Sequence, residues 1–394
     1  MNVLKAHPSV LAAASQTLQA HTRLRELAIQ IQQIPSPTGN EAQVAQWIAE
    51  HLSRLGIQEV LTDNLHNVLA RIPGQHSRSV LMVSAHTDTV FPLDTDLSYR
   101  VVEEEGLVYG ASIGDNSAGV AALLYLAECL CQVTRPPVDI WLVANSGEEG
   151  LGDLRGMKAA VDRLQDRLGA SIVIEGMGLG RIVHQGLGSK RYRISVKAPG
   201  GHSWSDFGSP SAIHILSQIA GEIAQWQVPG TPRTTFNIGM IDGGTSVNTV
   251  AQHASLELDL RSEDRNELKA LASRTEKLVA RFRTDLLREP EVEIALDVIG
   301  DRPSGQIPAN HPLISAAQEA LQVSGIQKSS LRISSTDSNV PLSRGIPSVC
   351  VGATEGGGAH RAEEWINSSL MPYGAHHLLL LTWWAARWLS GDVS

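Results

Sequence analysis

Apolar residues recur at helical spacing over residues 11–34, and Pro35-Ser36-Pro37-Thr38-Gly39 stops the run. A second amphipathic helix is predicted over 41–55, ended by Gly56. Beyond it, short apolar runs alternate with helical patterns. Val68–Ile72 and residues 80–84 read as strands, 117–131 as an apolar helix, 140–144 as a buried strand, 154–168 as a helix and 171–174 as a strand. Continuous apolar strands alternating with helices predict an α/β sheet covered on both faces.

The middle of the chain changes period. Residues 191–197, 234–241 and 254–261 alternate apolar and polar, and 292–298 is strand-like. Helical patterns occupy 210–226 and 263–283. The order β-α-β-β-α-β is the ferredoxin-like arrangement, with a sheet backed by helices on one face only. After Gly300 the first style returns, with a helix at Pro312–Val323, a buried strand at 347–351 and a helix at 373–389. The expectation is a doubly wound α/β domain built from 1–188 and 300–394, with a ferredoxin-like domain inserted at 189–299.

Composition narrows the function. At 394 residues the chain exceeds one ordinary domain, and 42% hydrophobic with 19% charged residues excludes a disordered one. The net charge is -9 and no basic run occurs, which argues against nucleic-acid binding. No stretch reaches the ~18 apolar residues of a membrane span. The apolar tail 377–389 is broken by Thr382 and Arg387, and residues 1–18 hold no apolar core of a targeting signal. Three cysteines, Cys129, Cys131 and Cys350, are too few and odd in number for a disulfide framework. They read as small apolar core residues in a reducing compartment, so a soluble cytoplasmic protein is expected.

The chemistry gathers at strand ends. Residues 80–84 lead into His86 and Asp88, 140–144 into Glu148 and Glu149, 171–174 into Glu175, and 347–351 into a glycine-rich loop and His360. Asp115 stands just before the helix at Ser117. Open α/β sheets bind ligands outside the carboxyl ends of their strands. Singly, each residue has a structural reading: a helix N-cap for Asp115, an exposed charge pair for Glu148-Glu149, a satisfied histidine for His86. Together they form an N/O donor set without thiolate, suited to zinc, with manganese or cobalt as alternatives. The arithmetic is that of two divalent ions sharing one carboxylate. Asp88, two residues from His86, is placed to orient the second ring nitrogen. Of adjacent Glu148 and Glu149, one is free to act as general base while the other ligates.

The motifs around these residues resemble the co-catalytic zinc exopeptidases and deacylases that include peptidase T, carboxypeptidase G, acetylornithine deacetylase and succinyl-diaminopimelate desuccinylase. They are Ser84-Ala-His-Thr-Asp-Thr-Val90, Gly114-Asp-Asn-Ser-Ala-Gly119, Gly147-Glu-Glu-Gly150, Gly200-Gly-His-Ser203, Gly243-Gly-Thr-Ser-Val-Asn248 and Gly358-Ala-His-Arg-Ala-Glu-Glu364, in family order. The resemblance implies that Asp115 bridges two metal ions, with His86 and Glu175 on one and Glu149 and His360 on the other. It makes Glu148 the general base and Asp88 the orienter. His202 is implied to stabilise the oxyanion, from its own or a partner subunit, and Asn248 to lie near the substrate. The inserted domain is implied to be a lid that forms a homodimer.

There are departures. Asn116 follows Asp115 where many relatives carry a second acidic residue, and Glu175 is followed by Gly176 where deacylases carry proline. The expected activity is amide hydrolysis of a small peptide by an exopeptidase, with an N-acyl amino acid deacylase as the alternative. A single-metal enzyme would use only part of the donor set. A non-catalytic relative would have lost a ligand or Glu148, and all are present. Arg302, Arg332, Arg344 and Arg361 are candidates for holding a substrate carboxylate. Ten further histidines, among them His51, His311, His376 and His377, are read as surface or capping residues, and Thr336-Asp337-Ser338-Asn339 as turn chemistry, with support of the site as the alternative.

Overall fold

The computed structural model describes residues 5–286 and 291–392. Its fold is mixed α/β, and the chain divides into two compact units, 1–186 with 305–394, and 187–304.

The outer unit is built on a sheet of nine strands among the described residues. In order across the sheet they are 59–62, 68–72, 138–145, 76–86, 168–177, 348–354, 181–186 and 305–306, with 330–334 also paired to 181–186. The four central strands, Val138–Asn145, His76–His86, Leu168–Met177 and Ser348–Thr354, run parallel. Side chains alternate faces along a strand. Leu81 and Val83 therefore enter one core with Leu24, Leu123 and Leu379, while Val80 and Met82 enter another with Met157 and Val161. Helices His21–Gln32, Ala118–Gln132 and Met371–Ser390 thus cover one face and Arg155–Leu164 the other.

Strands Leu168–Met177 and Arg181–Gly186 follow one another in the chain but do not pair. Ser348–Thr354 lies between them, parallel to the first and antiparallel to the second. The turn 178–180 passes close to it: a Cβ on Gly352 would meet the Gly178 carbonyl carbon at 2.2 Å.

The helix predicted over 11–34 is two helices, Pro8–Thr17 and His21–Gln32. No Gly or Pro marks the break. Gln19 and Ala20 donate to the carbonyls of Gln16 and Thr17, tight bonds that close the last turn. A small second sheet of Arg100–Val102, Leu107–Tyr109, Gly356–Gly357 and Trp365–Asn367 was not visible in the sequence pattern.

The inserted unit has its own core, including Tyr192, Ile194, Leu216, Ile219, Leu256, Leu258 and Val279. Its four long strands pair antiparallel in the order Thr234–Gly243, His253–Ser262, Gly188–Lys197, Glu293–Arg302. Helices Ala212–Ala224 and Arg265–Asp285 complete the ferredoxin-like order. Asp264 caps the second by accepting from the Asn266 and Glu267 N–H groups.

Candidate active site

Because the four central strands are parallel, their C-terminal ends share one edge. His86 ends its strand, Glu175 lies near the end of Leu168–Met177, and Glu148 and Glu149 follow Val138–Asn145 directly. Asp115 sits in the turn Ile113–Ser117 that opens into helix Ala118–Gln132, and the Asp115–Asn116 peptide is cis. His360 lies in the loop after Gly356–Gly357 with φ of 65°, left-handed for a non-glycine residue.

These residues converge. His86 Nε2 is 3.1 Å from Asp115 Oδ1 and 3.6 Å from Glu175 Oε2. On the other side, Asp115 Oδ2 is 3.3 Å from His360 Nε2, which is 2.9 Å from Glu149 Oε1. Two donor groups result, His86–Asp115–Glu175 and Asp115–Glu149–His360, each with its donor atoms within 4.8 Å of one another. Asp115 serves both through different oxygens.

The cluster draws in positive charge. Burial disfavours the His86 imidazolium, yet the hydrogen bond with Asp115 and the nearby carboxylates of Asp88 and Glu175 outweigh it and hold its pKa well above the ordinary value. Hydrogen bonding to Asp115, opposed by burial, brings His360 up to about 9. Burial raises Asp115, but hydrogen bonds from His360 and His86 win and hold it below the carboxylate range. Glu149 is pushed up, by burial first and then by the charge of Asp115. Three carboxylates and two imidazoles this close fit divalent cations, which supply the missing charge through N and O ligands.

The supporting contacts differ from the sequence expectation in one respect. Asp88 presents its main-chain oxygen to His86 Nδ1 at 3.1 Å, while its carboxylate stands 3.7 Å away. That carboxylate accepts instead from the N–H groups of Glu148 (2.8 Å) and Glu149 (2.9 Å) and from the Thr38 hydroxyl (2.7 Å). A carboxylate has two oxygens to offer, and the tight Gly147 turn aims two N–H groups at them. The proline-rich stretch that stops the first helices thus also straps the site. Asp337, fully buried, accepts from Asn145 Nδ2 at 2.7 Å, and burial pushes it up to about 7. Asn116 Nδ2 donates to the Ile174 carbonyl, next to Glu175, at 3.0 Å.

Glu364, quoted within a motif but given no role from sequence, is fully buried and accepts from the N–H groups of Gly114, Asp115 and His360. Burial brings it up to about 7. The signal for its role was three-dimensional, since 249 residues separate it from Asp115.

His202 and Asn248 belong to the inserted unit. They lie on a two-stranded ribbon, Gly201–His202 with Thr249–Val250, where Ser203 N–H donates to the Asn248 carbonyl at 3.0 Å. His202 is exposed, and Asp206 accepts from its N–H at 2.6 Å. Some residues depart from the surface, capping or core places expected of them. Cys131 is exposed rather than core. His51, His376 and His377 are buried, whereas His7 and His311 cap helices. Arg344 pairs with Asp162.

Residues 82–383 match the peptidase family M20/M25/M40, and the chain belongs to that family. It is 28% identical over 341 residues to the succinyl-diaminopimelate desuccinylase of Corynebacterium glutamicum, spanning 84% of this chain and 88% of that protein. A tripeptidase of Staphylococcus aureus shares the fold with a TM-score of 0.76 at 23% identity, over 93% of this chain and 99% of that one. A dinuclear metal binding peptidase of the M20 family from Bacillus subtilis shares it with a TM-score of 0.66 at 16% identity, over 93% and 98%. The chain is a hydrolase of the peptidase and deacylase type, and among the described residues no helix is long and apolar enough to cross a membrane.

Proposed function

We propose that the chain is a two-metal hydrolase that cleaves the amide bond of a short peptide as an exopeptidase. The observation that carries this reading is the pair of donor groups joined through Asp115. His86 and Glu175 would hold one divalent ion and Glu149 and His360 the other, with Asp115 shared; zinc suits the donor set best, with manganese or cobalt as alternatives. When bound, such a pair supplies Lewis acidity to an amide carbonyl and acidifies water.

The chain's own residues do the rest. Glu148 is the general base: it takes the proton of the attacking water and delivers it to the leaving amine. Its neighbour Glu149 turns to the donor group, and Asp88 fixes both backbones so that the two carboxylates keep separate tasks. His202, from the inserted unit, donates to the carbonyl oxygen as negative charge develops there, and Asn248 binds the substrate nearby. The exposed aromatics Trp204 (87%) and Phe207 (90%) follow His202 in the chain, apolar surface that substrate or a partner subunit would cover. The inserted unit, 187–304, serves as lid and as the contact of a homodimer. The sparse, unpaired cysteines fit the reducing cytoplasm.

The second reading is an N-acyl amino acid deacylase, favoured by the likeness to a desuccinylase. Stripping the protein with a chelator, restoring divalent ions and assaying dipeptides, tripeptides, N-acetyl and N-succinyl amino acids side by side separates the two. Peptide turnover restored by two ions per chain is expected. Turnover of acyl amino acids alone selects the second reading, and full activity in the stripped protein overturns both.

A further inference from the structure

We propose that Glu364 is a positioning residue that sets the spacing of the two donor groups by holding the backbones of Asp115 and His360 on one carboxylate. The inference rests on the two-metal reading above. Glu364 Oε1 accepts from Gly114 N–H at 2.6 Å and Asp115 N–H at 2.7 Å, and Oε2 accepts from His360 N–H at 3.2 Å. The shared ligand and a ligand of the second group are therefore tied to the two oxygens of a single side chain.

The base of that side chain is itself fixed. Glu364 donates to the Arg361 carbonyl at 3.1 Å, and its own carbonyl accepts from Gly110 at 2.9 Å. The next residue begins strand Trp365–Asn367, which pairs with Leu107–Tyr109. Glycine at 114 leaves room for the clamp, because a Cβ there would stand 2.7 Å from Met177 Sδ and 3.1 Å from Glu364 Oε1 and crowd both side chains. His360 is held at a positive φ, a conformation that persists in a non-glycine residue only where neighbouring bonds enforce it. The Oε2 bond is such a constraint.

Three N–H donors meet two acceptor oxygens, so a carboxylate suits the place and an amide does not. In Glu364→Gln, an oxygen kept on Gly114 and Asp115 leaves the amide NH₂ facing the His360 N–H, donor against donor. The substitution spares the anchor of Asp115 and removes that of His360. Glu364→Ala removes both.

The test uses the full chain stripped of ions and titrated with Zn²⁺ by calorimetry and with Co²⁺ by visible absorption, alongside thermal unfolding. Wild type is expected to take up two ions. Glu364→Gln should fold normally and bind the first ion as wild type does. Its second ion should bind roughly 10–100-fold more weakly, the usual cost of losing an outer hydrogen bond to a ligand, with an altered Co²⁺ spectrum at that site. kcat should fall more than KM rises, and Glu364→Ala should weaken both ions. Two ions bound by Glu364→Gln with wild-type affinities and spectrum would overturn the inference while leaving the two-metal reading intact. A Gln variant that fails to fold would overturn it too, making the residue part of the scaffold. Wild-type chain that takes up no ion would overturn the two-metal reading and the inference with it.

Discussion

The separate tasks proposed for adjacent Glu148 and Glu149 start from one carboxylate, Asp88, which holds both of their N–H groups and so fixes where each side chain starts. Glu148→Gln should keep its metal and lose on the order of 10²–10⁴-fold in kcat, since an amide cannot take up a proton. Glu149→Gln should instead lose the second ion, and elemental analysis beside the assay separates the two. Asp88→Asn replaces one acceptor oxygen by a donor facing a donor; roughly 10–100-fold lower activity is expected, with metal content and KM measured together. The donor residues could be read because four of them come after apolar strands, where a carboxylate or imidazole would otherwise be an expensive burial, and Asp115 stands at the start of an apolar helix. Their holders could not, because Glu364 acts on the backbone of Asp115 and Thr38 on the Asp88 carboxylate, both far away in sequence. Gly176, which stood out as a departure from the deacylases, has a packing reason: a Cβ there would lie 1.9 Å from the Gly114 carbonyl oxygen. It therefore says less about the substrate than its place beside Glu175 suggested.

Among elements, the terminal helix Met371–Ser390 carries a titrating pair that periodicity alone could not place. His377 is fully buried, and burial lowers its imidazole from 6.5 to about 4; His376, bonded to the Ser324 hydroxyl, is lowered too. Between those pH values the unfolded chain binds a proton at His377 that the folded chain refuses. The stability this withholds is complete above pH 6.5 and lost as pH falls to 4, about 3 kcal/mol at most. The unfolding midpoint should therefore drop from pH 7 to pH 5, and drop less in His377→Leu. The long helices and central strands were readable from period and turn residues, Pro312–Val323 to the residue. The small sheet was not, because its strands of two or three residues pair stretches some 250 positions apart, as Val108 does with Ile366. The break between Pro8–Thr17 and His21–Gln32 escaped for another reason: hydrogen bonds make it, without a residue that forbids helix.

For the whole molecule, the change from continuous to alternating strand patterns disclosed the insertion, and the pairing of Gly186 with Gly305 marks where the chain leaves and re-enters the outer unit. With its own core, the segment 187–304 should fold alone and unfold cooperatively, which circular dichroism on the excised piece would check. Its edge strand Thr234–Gly243 exposes Met240 (64%) and Ile241 (61%), the surface expected at the homodimer contact. Sedimentation should show a dimer, and Met240→Lys with Ile241→Lys should yield monomers. The order of strands also governs how the protein is made. A ribosome releases Leu168–Met177 and Arg181–Gly186 together, yet the strand that belongs between them comes some 160 residues later. Until Ser348–Thr354 emerges, the nascent sheet holds a slot one strand wide, with two open edges inviting foreign strands. His360 arrives later still, so a chain interrupted anywhere in the insertion carries four of the five metal-type ligands and no complete second group. Completion of the second donor group thus waits for the stretch that follows the strand closing the sheet.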